Sequence, residues 1–222
     1  KPQYGTGFAH GGLMTIVLSE HYPKIIKDFY LYDESASDGS AHQPIDLPFE
    51  IDRSALLVDA KKLPWDMSHA IRRFEIVKRE DDVAGTDRTL NNRQPVTAQI
   101  DFNEFKAIGK LINDLNSIGP VTYMSFKNML PGEYLEPHMD SLYGPLSIYI
   151  PITWPSGCYF KVYKQGFVDF SDLKPNIVDT GGHVHSVIND SNEERYTFSF
   201  YCDWQSPGWN KILAGTKINY NN

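Results

Sequence analysis

Residue types that bind catalytic metals occur together in the stretch LEPHMDS, residues 135–141. Of the seven histidines, His138 is the one followed two residues later by a carboxylate, that of Asp140. Side chains two apart on a strand point to the same face, so both could bind one ion. Such a pair also arises by chance about once in a chain of this composition. In that case His138 and Asp140 would be a surface pair on a strand edge. A metal site would need a second histidine from elsewhere.

That histidine can come from GGHVHSVINDSNEERYTFSFYCDW, residues 181–204. On an extended strand His183 and His185 face the same way, so either could complete the set. Two histidines and one carboxylate leave coordination positions of Fe(II) open for a co-substrate and for oxygen.

The strand-like stretch that follows begins at Arg195 and has two different faces. One is polar and the other aromatic: Arg195, Thr197 and Ser199 against Tyr196, Phe198 and Phe200. We expect the aromatic face to pack on helices and the polar face to point inward. An inward guanidinium needs a buried anion, because an unpaired one is costly. A dicarboxylate ligand would supply that anion through a bidentate contact.

Other side chains could line the same pocket. Tyr123, Ser125 and Lys127 alternate on one face of a predicted strand, although a lysine at a strand end is more often solvated. Ser147 and Tyr149 share one face of another strand, opposite Leu146, Ile148, Ile150 and Ile152. Trp154 and Trp204 could bound a substrate pocket, with core packing as the alternative. Arg53, Arg72 and Arg73 could bind an acidic substrate, although exposed charge is the commoner role of such residues.

The elements that must position these residues fall into two halves. The first half predicts a loose Gly-rich arm, three strands, two helices and two polar loops, the first of which could be a lid. The arm covers residues 1–12, and the strands cover 13–18, 55–59 and 97–102. The helices cover 66–73 and 103–118, and the loops cover 33–47 and 81–96. The helix over 103–118 is the clearest, because apolar residues recur at three- and four-residue steps and Gly119-Pro120 ends it.

From Val121 onward the sequence has the texture of β-structure. VTYMSFKN, LSIYIPIT, CYFKVYK and RYTFSFYCDW alternate or are rich in β-branched and aromatic residues, with Gly and Pro between them. Strands after a helical first half indicate an α+β or mainly β domain whose second half is a sandwich or barrel.

Composition bounds the function. The 222 residues are 41% hydrophobic and 22% charged, which predicts one folded domain. The net charge of −7 and the lack of a basic stripe argue against nucleic acid, and no apolar run is long enough to span a membrane. Two cysteines cannot form a disulfide framework and fit a reduced, cytoplasmic protein. The chain begins at Lys1 rather than Met, which limits what the sequence says about targeting. The sequence contains no HExxH, GxSxG, GxGxxG or Walker lysine.

The motifs PHMDS, IPITWPSGCYFKV and HSVINDSNEERYTFSFY resemble the Fe(II)/2-oxoglutarate-dependent dioxygenases. They are most similar to the aspartyl/asparaginyl β-hydroxylase-like branch, which includes free proline hydroxylases. The resemblance covers residues 121–204 and implies a double-stranded β-helix, or jelly roll, of the cupin kind, with supporting helices from the N-terminal half. The fold would be a single domain over 1–222, with the jelly-roll core at 120–204 and a C-terminal extension at 205–222.

The resemblance implies His138, Asp140 and His185 as metal ligands and Arg195 as the residue that binds the distal carboxylate of 2-oxoglutarate. It favours His185 over His183, because Arg195 lies ten residues after His185. The implied activity couples decarboxylation of 2-oxoglutarate, with Fe(II) and O2, to hydroxylation of an amino acid, free or in a peptide.

The sequence also departs from this branch. Peptidyl β-hydroxylases have Gly at the position of Asp140, and they carry an Arg and a His at the positions of Ser147 and Tyr149. The intact triad therefore favours the small-molecule and prolyl group. Desaturation or halogenation on the same scaffold and a non-catalytic cupin-like binding module are the alternatives, and Asp140 argues against halogenation.

Overall fold

The computed structural model describes residues 3–9, 12–32, 40–66, 71–76, 100–140 and 146–218. In chain order, the strands are β1 Gln3–Ala9, β2 Gly12–Leu18, β3 His42–Pro44, β4 Arg72–Glu75, β5 Val121–Met129, β6 Tyr134–His138, β7 Ser147–Pro151, β8 Cys158–Val162, β9 Gly166–Phe167, β10 Asn176–Val178, β11 His185–Asn189 and β12 Arg195–Cys202. The helices are α1 Lys24–Leu31, α2 Arg53–Ala60, α3 Lys106–Ile118 and α4 Pro207–Leu213.

Two antiparallel sheets contain all of these strands except the β1–β2 hairpin. The larger sheet has the order β3-β10-β7-β12-β5-β4, and the smaller has the order β6-β11-β8-β9. From β5 to β12 the chain passes back and forth between the sheets, with only the β8–β9 hairpin staying in one. Neighbouring strands within a sheet, such as β5 and β12 or β6 and β11, are therefore far apart in sequence.

Helices α2, α3 and α4 cover the outer face of the six-stranded sheet. Their apolar residues form one core with the outward side chains of β7 and β12, among them Ile148, Ile150, Phe198 and Phe200. In α3, the predicted three- and four-residue spacing places Ile108, Leu111, Ile112 and Leu115 in that core. The predicted division of β12 and β7 into a helix-packed face and an inward face is confirmed.

A buried carboxylate from α2 fixes the start of α3. Asp59 Oδ2 accepts hydrogen bonds from the backbone N–H groups of Ala107 at 2.8 Å and Ile108 at 3.3 Å. These are two of the N–H groups that a helix start leaves without an intrahelical partner. Asp101 accepts from Asn103 N at 2.8 Å in the turn before the helix.

The predicted strand over 55–59 is wrong, because this segment is helix α2. Asp52 caps it by accepting from Ala55 N at 2.9 Å. Leu56 and Ala60, four residues apart, are buried, whereas Val58 is exposed. A short apolar run fits either a strand or a helix, and here the burial follows the helical period.

The predicted helix over 66–73 is also wrong at its described end. Arg72–Glu75 form strand β4, which pairs with β5, and Asp66 forms a bridge with Arg73. Pairing with a long neighbouring strand overrides the local pattern. Of the predicted strand 97–102, residues 100–102 are turn-like, and 97–99 lie outside the described residues.

The N-terminal region differs from its prediction as well. Strand β1 occupies most of the predicted loose arm and pairs with β2 over seven residues. Within the predicted loop 33–47, residues 42–44 form β3, while 33–39 lie outside the described residues, as does the predicted loop 81–96. Helix α1 packs on the four-stranded sheet through Ile26 and Tyr30. Among the described residues, no helix has the length and apolar character needed to cross a bilayer.

Candidate metal and co-substrate site

Three side chains with metal-binding atoms meet at the edge of the space between the two sheets. His138 ends β6 and His185 begins β11, and the pairing of these strands places the two residues opposite each other. Asp140 lies two residues beyond His138, where its backbone N–H donates to Thr180 O at 3.0 Å. One nitrogen or oxygen from each of the three lies within 4.8 Å of the others.

The distances within this triad place all three donor atoms around one point. Asp140 Oδ1 is 3.4 Å from His138 Nε2 and 3.8 Å from His185 Nε2. The Nδ1 atoms face backbone carbonyls, those of Glu136 at 2.7 Å and His183 at 3.3 Å. Because a carbonyl only accepts, Nδ1 of each ring carries a hydrogen, so in the neutral form of each ring Nε2 keeps its lone pair for an ion.

Electrostatics prepares the triad for a cation. Burial lowers the pKa of His185 to about 4, so this imidazole is neutral at pH 7. Burial acts to raise the pKa of Asp140, but the hydrogen bond with His138 and the charge of Lys127 outweigh it and hold that pKa well below its usual range. The hydrogen bond with Asp140 raises the pKa of His138. The carboxylate is therefore ionised and at least one imidazole is free to coordinate.

His183 lies outside the triad. Its Nδ1 is 3.1 Å from Asp179 Oδ2, in the turn that precedes β11. The strand begins only at His185, so the alternation that would place both histidines on one face does not extend back to His183. The structure thus brings His185, the histidine favoured from sequence, next to His138 and Asp140.

A narrow pocket leads from the triad to Arg195. Side chains from both sheets line it: Lys127, Leu135, His138, Asp140, Tyr149, Trp154, Phe160, His185, Val187, Arg195 and Thr197. Leu135, Phe160 and Val187 were not predicted. Val187 follows His185 by two residues on the same strand, so the alternation could have identified it, whereas Phe160 has no signal in the sequence.

Arg195 is 2% exposed and yet incompletely paired. Its Nε and the Thr197 hydroxyl are buried without a hydrogen-bond partner. Within the described part of the chain Arg195 forms no ion pair, and its guanidinium lies 5.0 Å from the centre of the Trp154 ring. Burial lowers the pKa of Arg195 from its ordinary value. Buried donors without partners indicate a position for an anionic ligand.

The remaining candidates divide into those beside the pocket and those away from it. Lys127 and Tyr149 line it together, with Lys127 Nζ 4.8 Å from the centre of the Tyr149 ring. Ser125 and Ser199 are buried next to it and hydrogen-bond each other at 3.3 Å. Ser147 is turned to Thr180, with 2.9 Å between their hydroxyl oxygens.

Five further candidates lie outside the pocket. Tyr123 stacks on Tyr201 with 5.2 Å between ring centres. Trp204 packs against the core behind the six-stranded sheet, which was its alternative role. Arg53 donates to the Pro151 carbonyl at 3.1 Å. Arg72 contacts Asn128, and Arg73 lies over the Tyr123 ring.

Comparison with known proteins agrees with this geometry. The family model for aspartyl/asparaginyl β-hydroxylase matches residues 72–207, more than half of the chain. The match places the chain among the Fe(II)/2-oxoglutarate-dependent dioxygenases. Within them, the chain belongs to the aspartyl/asparaginyl β-hydroxylase family. A comparison with curated protein sequences finds no match.

Several solved structures are similar to this one. An oxidoreductase of the 2OG-Fe(II) oxygenase family from Burkholderia pseudomallei is 15% identical, with 68% of this chain and 76% of that chain covered and a TM-score of 0.48. The viral collagen prolyl hydroxylase of Paramecium Bursaria Chlorella virus-1 is 10% identical, with 75% of this chain and 98% of that chain covered and a TM-score of 0.44. A Pseudomonas putida prolyl-4-hydroxylase is 16% identical, with 80% of this chain and 96% of that chain covered and a TM-score of 0.41.

Proposed function

We propose that the protein is an Fe(II)- and 2-oxoglutarate-dependent hydroxylase of an amino acid, free or within a peptide. One observation carries the proposal: a triad of two histidines and one aspartate shares a pocket with a buried arginine whose Nε has no hydrogen-bond partner among the described residues. The triad fits the ion and the arginine fits a carboxylate. A structural ion pair would explain neither the triad nor the buried arginine.

The donor set fits Fe(II). His138 and His185 would bind through Nε2 and Asp140 through a carboxylate oxygen, and three protein ligands leave positions open for small molecules. Fe(II) would supply the redox chemistry that couples decarboxylation of 2-oxoglutarate to oxidation of a substrate C–H bond. The backbone carbonyls of Glu136 and His183 would hold the two rings in the coordinating tautomer.

The charged and polar side chains that line the pocket match the chemistry of 2-oxoglutarate. Arg195 would bind the carboxylate far from the metal through its planar fork of donors. Thr197, with its unpaired buried hydroxyl, would donate to the same carboxylate. Ser125 and Ser199 hydrogen-bond each other two residues further along β5 and β12, on the side of Thr197 away from Arg195. The apolar side chains of Leu135, Phe160 and Val187 would keep water from the bound ligand.

The substrate would approach from the exposed side of the triad, where Asp140 reaches the surface. Trp154 would bound the co-substrate end of the pocket, since its ring lies against Arg195. The architecture would be a jelly roll, which the transfer of strands β5–β12 between two antiparallel sheets supports.

A non-catalytic cupin-like module is the main alternative. Such a module needs no buried arginine to hold a dicarboxylate, so the unpaired Arg195 favours the enzyme. Halogenation is disfavoured because Asp140 is present in the triad.

The direct test is formation of succinate from 2-oxoglutarate in the presence of Fe(II), ascorbate and O2. Free amino acids and peptide mixtures would be supplied in parallel, and mass spectrometry would detect the addition of one oxygen atom to the substrate. His138→Ala is the inactive control. Purified protein that binds Fe(II) but forms no succinate with any substrate, or without one, would favour the binding module.

A further inference from the structure

The pocket contains a second cation, Lys127, which has no anionic partner among the described residues. Its ammonium lies over the face of the Tyr149 ring, 4.8 Å from the ring centre. Across the described residues it has no hydrogen bond and no ion pair, although Asp140 lines the same pocket. A lysine in a narrow pocket without a direct anionic partner is costly unless a ligand completes it.

Lys127 and Arg195 stand at different depths of the pocket. Lys127 pairs with Thr197 across the β5–β12 ladder, so its Cα is displaced from that of Arg195 by two residues, or about 7 Å, along the strand direction. Its ammonium lies over Tyr149, which pairs with Ser199, one further step away from Arg195. Arg195 lies against Trp154, and Lys127 lies over Tyr149. Asp140 is hydrogen-bonded to Thr180, and the Thr180 hydroxyl to that of Ser147, two residues before Tyr149 on β7, so the ring under Lys127 lies toward the triad. Lys127 is therefore the cation at the metal end.

We propose that Lys127 binds the carboxylate of 2-oxoglutarate that lies at the metal end, opposite the carboxylate bound by Arg195. This assignment rests on the proposed function. Two separated cations in one pocket match a ligand with a carboxylate at each end of a five-carbon chain. One cation or the other would suffice for a monoacid.

The assignment also answers a departure from the family pattern. The positions of the family's Arg and His correspond here to Ser147 and Tyr149, and neither side chain carries a charge at neutral pH. Ser147 is hydrogen-bonded to Thr180, and burial raises the pKa of Tyr149 well above its ordinary value. Lys127 would supply from β5 the positive charge that β7 no longer provides.

The test compares two ligands on protein loaded with Zn(II), which cannot turn over. The ligands are 2-oxoglutarate and 2-oxobutyrate, which keeps the 2-oxo acid end but lacks the far carboxylate. Isothermal titration calorimetry gives the affinity of each. Lys127→Met should weaken both ligands by the same factor, about 10- to 100-fold for the loss of a charge-assisted hydrogen bond. Arg195→Met should weaken 2-oxoglutarate and leave 2-oxobutyrate unchanged.

Lys164→Met is the matched control, because Lys164 is an exposed lysine that also lies over a tyrosine ring, that of Tyr163 at 5.5 Å, outside the pocket. It should change neither affinity. Lys127→Gln serves if the methionine variant does not fold, as judged by thermal unfolding. A Lys127 variant that weakens only 2-oxoglutarate, or neither ligand, overturns the assignment. Wild-type protein that binds Zn(II) but not 2-oxoglutarate overturns the proposed function itself, and the assignment with it.

Discussion

Replacing Arg195 by methionine should stabilise the ligand-free protein while removing its response to 2-oxoglutarate. The wild-type side chain is 2% exposed, forms no ion pair among the described residues and buries Nε without an acceptor. Methionine has a similar length and no polar donor. The variant therefore removes an unfavourable burial from the free protein and the anion site from the liganded one.

The magnitude follows from two opposing contributions. A buried donor without a partner costs about 1–3 kcal/mol, which the variant recovers. The contact of the guanidinium with the Trp154 ring contributes about 0.5–2 kcal/mol, which the variant loses. The expected net gain in the free energy of unfolding is about 1 kcal/mol, or a rise of about 2–4 °C in Tm for a chain of this size.

Thermal unfolding with and without 2-oxoglutarate measures both effects, with Zn(II) present throughout. At a ligand concentration of 100 times Kd, wild-type protein should gain about 2.7 kcal/mol, and Arg195→Met should gain little. The order of stability should therefore reverse on adding the ligand. Thr197→Val, which removes the other unpaired buried donor at nearly constant volume, should show the same reversal with a smaller amplitude.

Two results would refute this reasoning. If Arg195→Met is less stable than wild type by the same amount with and without ligand, the arginine has a purely structural role. If the variant keeps the full stabilisation by 2-oxoglutarate, the anion site lies elsewhere.

Three further predictions concern the triad and the scaffold. His185→Ala should weaken Zn(II) binding at least about 100-fold in a competition with a chromophoric chelator, with an unchanged circular dichroism spectrum. Loss of a residue that only hydrogen-bonds to a metal ligand costs about 10- to 100-fold in affinity, and loss of a ligand itself should cost more. Unchanged affinity would exclude His185 as a ligand. Lys161→Met should lower the free energy of unfolding in urea by about 3 kcal/mol or more, because the fully buried ammonium donates to three backbone carbonyls at the end of α1; a loss below 1 kcal/mol would contradict this role. Gly208→Ala should lower Tm through about 1–3 kcal/mol of strain, because the added Cβ would lie 1.8 Å from the Ile118 carbonyl oxygen; a neutral effect would mean that α4 can shift freely.

The β-rich half of the fold could be predicted because its strands show period-two alternation. In β12 the alternation assigned both faces, and burial agrees with it. The N-terminal half could not be predicted as well. The segment of α2 contains a short apolar run that fits a strand, and β4 is a strand because β5 lies beside it. Strand alternation alone could not separate His185 from His183. The ten-residue spacing to Arg195 favoured His185, and the start of β11 at His185 explains why His183 lies outside the triad.

The candidate site divides its two tasks between the two sheets. His138 and His185 lie on the four-stranded sheet, which packs against α1, while Lys127, Arg195 and Thr197 lie on the six-stranded sheet, which packs against α2–α4. A small change in the core behind one sheet should therefore disturb one task more than the other, because close-packed interiors transmit strain to the side chains that they support.

Phe198→Leu and Ile188→Val form a reciprocal test of this division. Phe198 is fully buried behind Thr197 on β12, and Ile188 is fully buried on β11 among the residues that face α1. Phe198→Leu should weaken 2-oxoglutarate binding more than Zn(II) binding, and Ile188→Val should do the opposite, each by a few-fold in calorimetry. Each substitution leaves a cavity and should lower the free energy of unfolding by about 0.5–2 kcal/mol, which folded protein at 20 °C should tolerate. Equal effects of each variant on both affinities would show that the two sheets respond as one rigid unit.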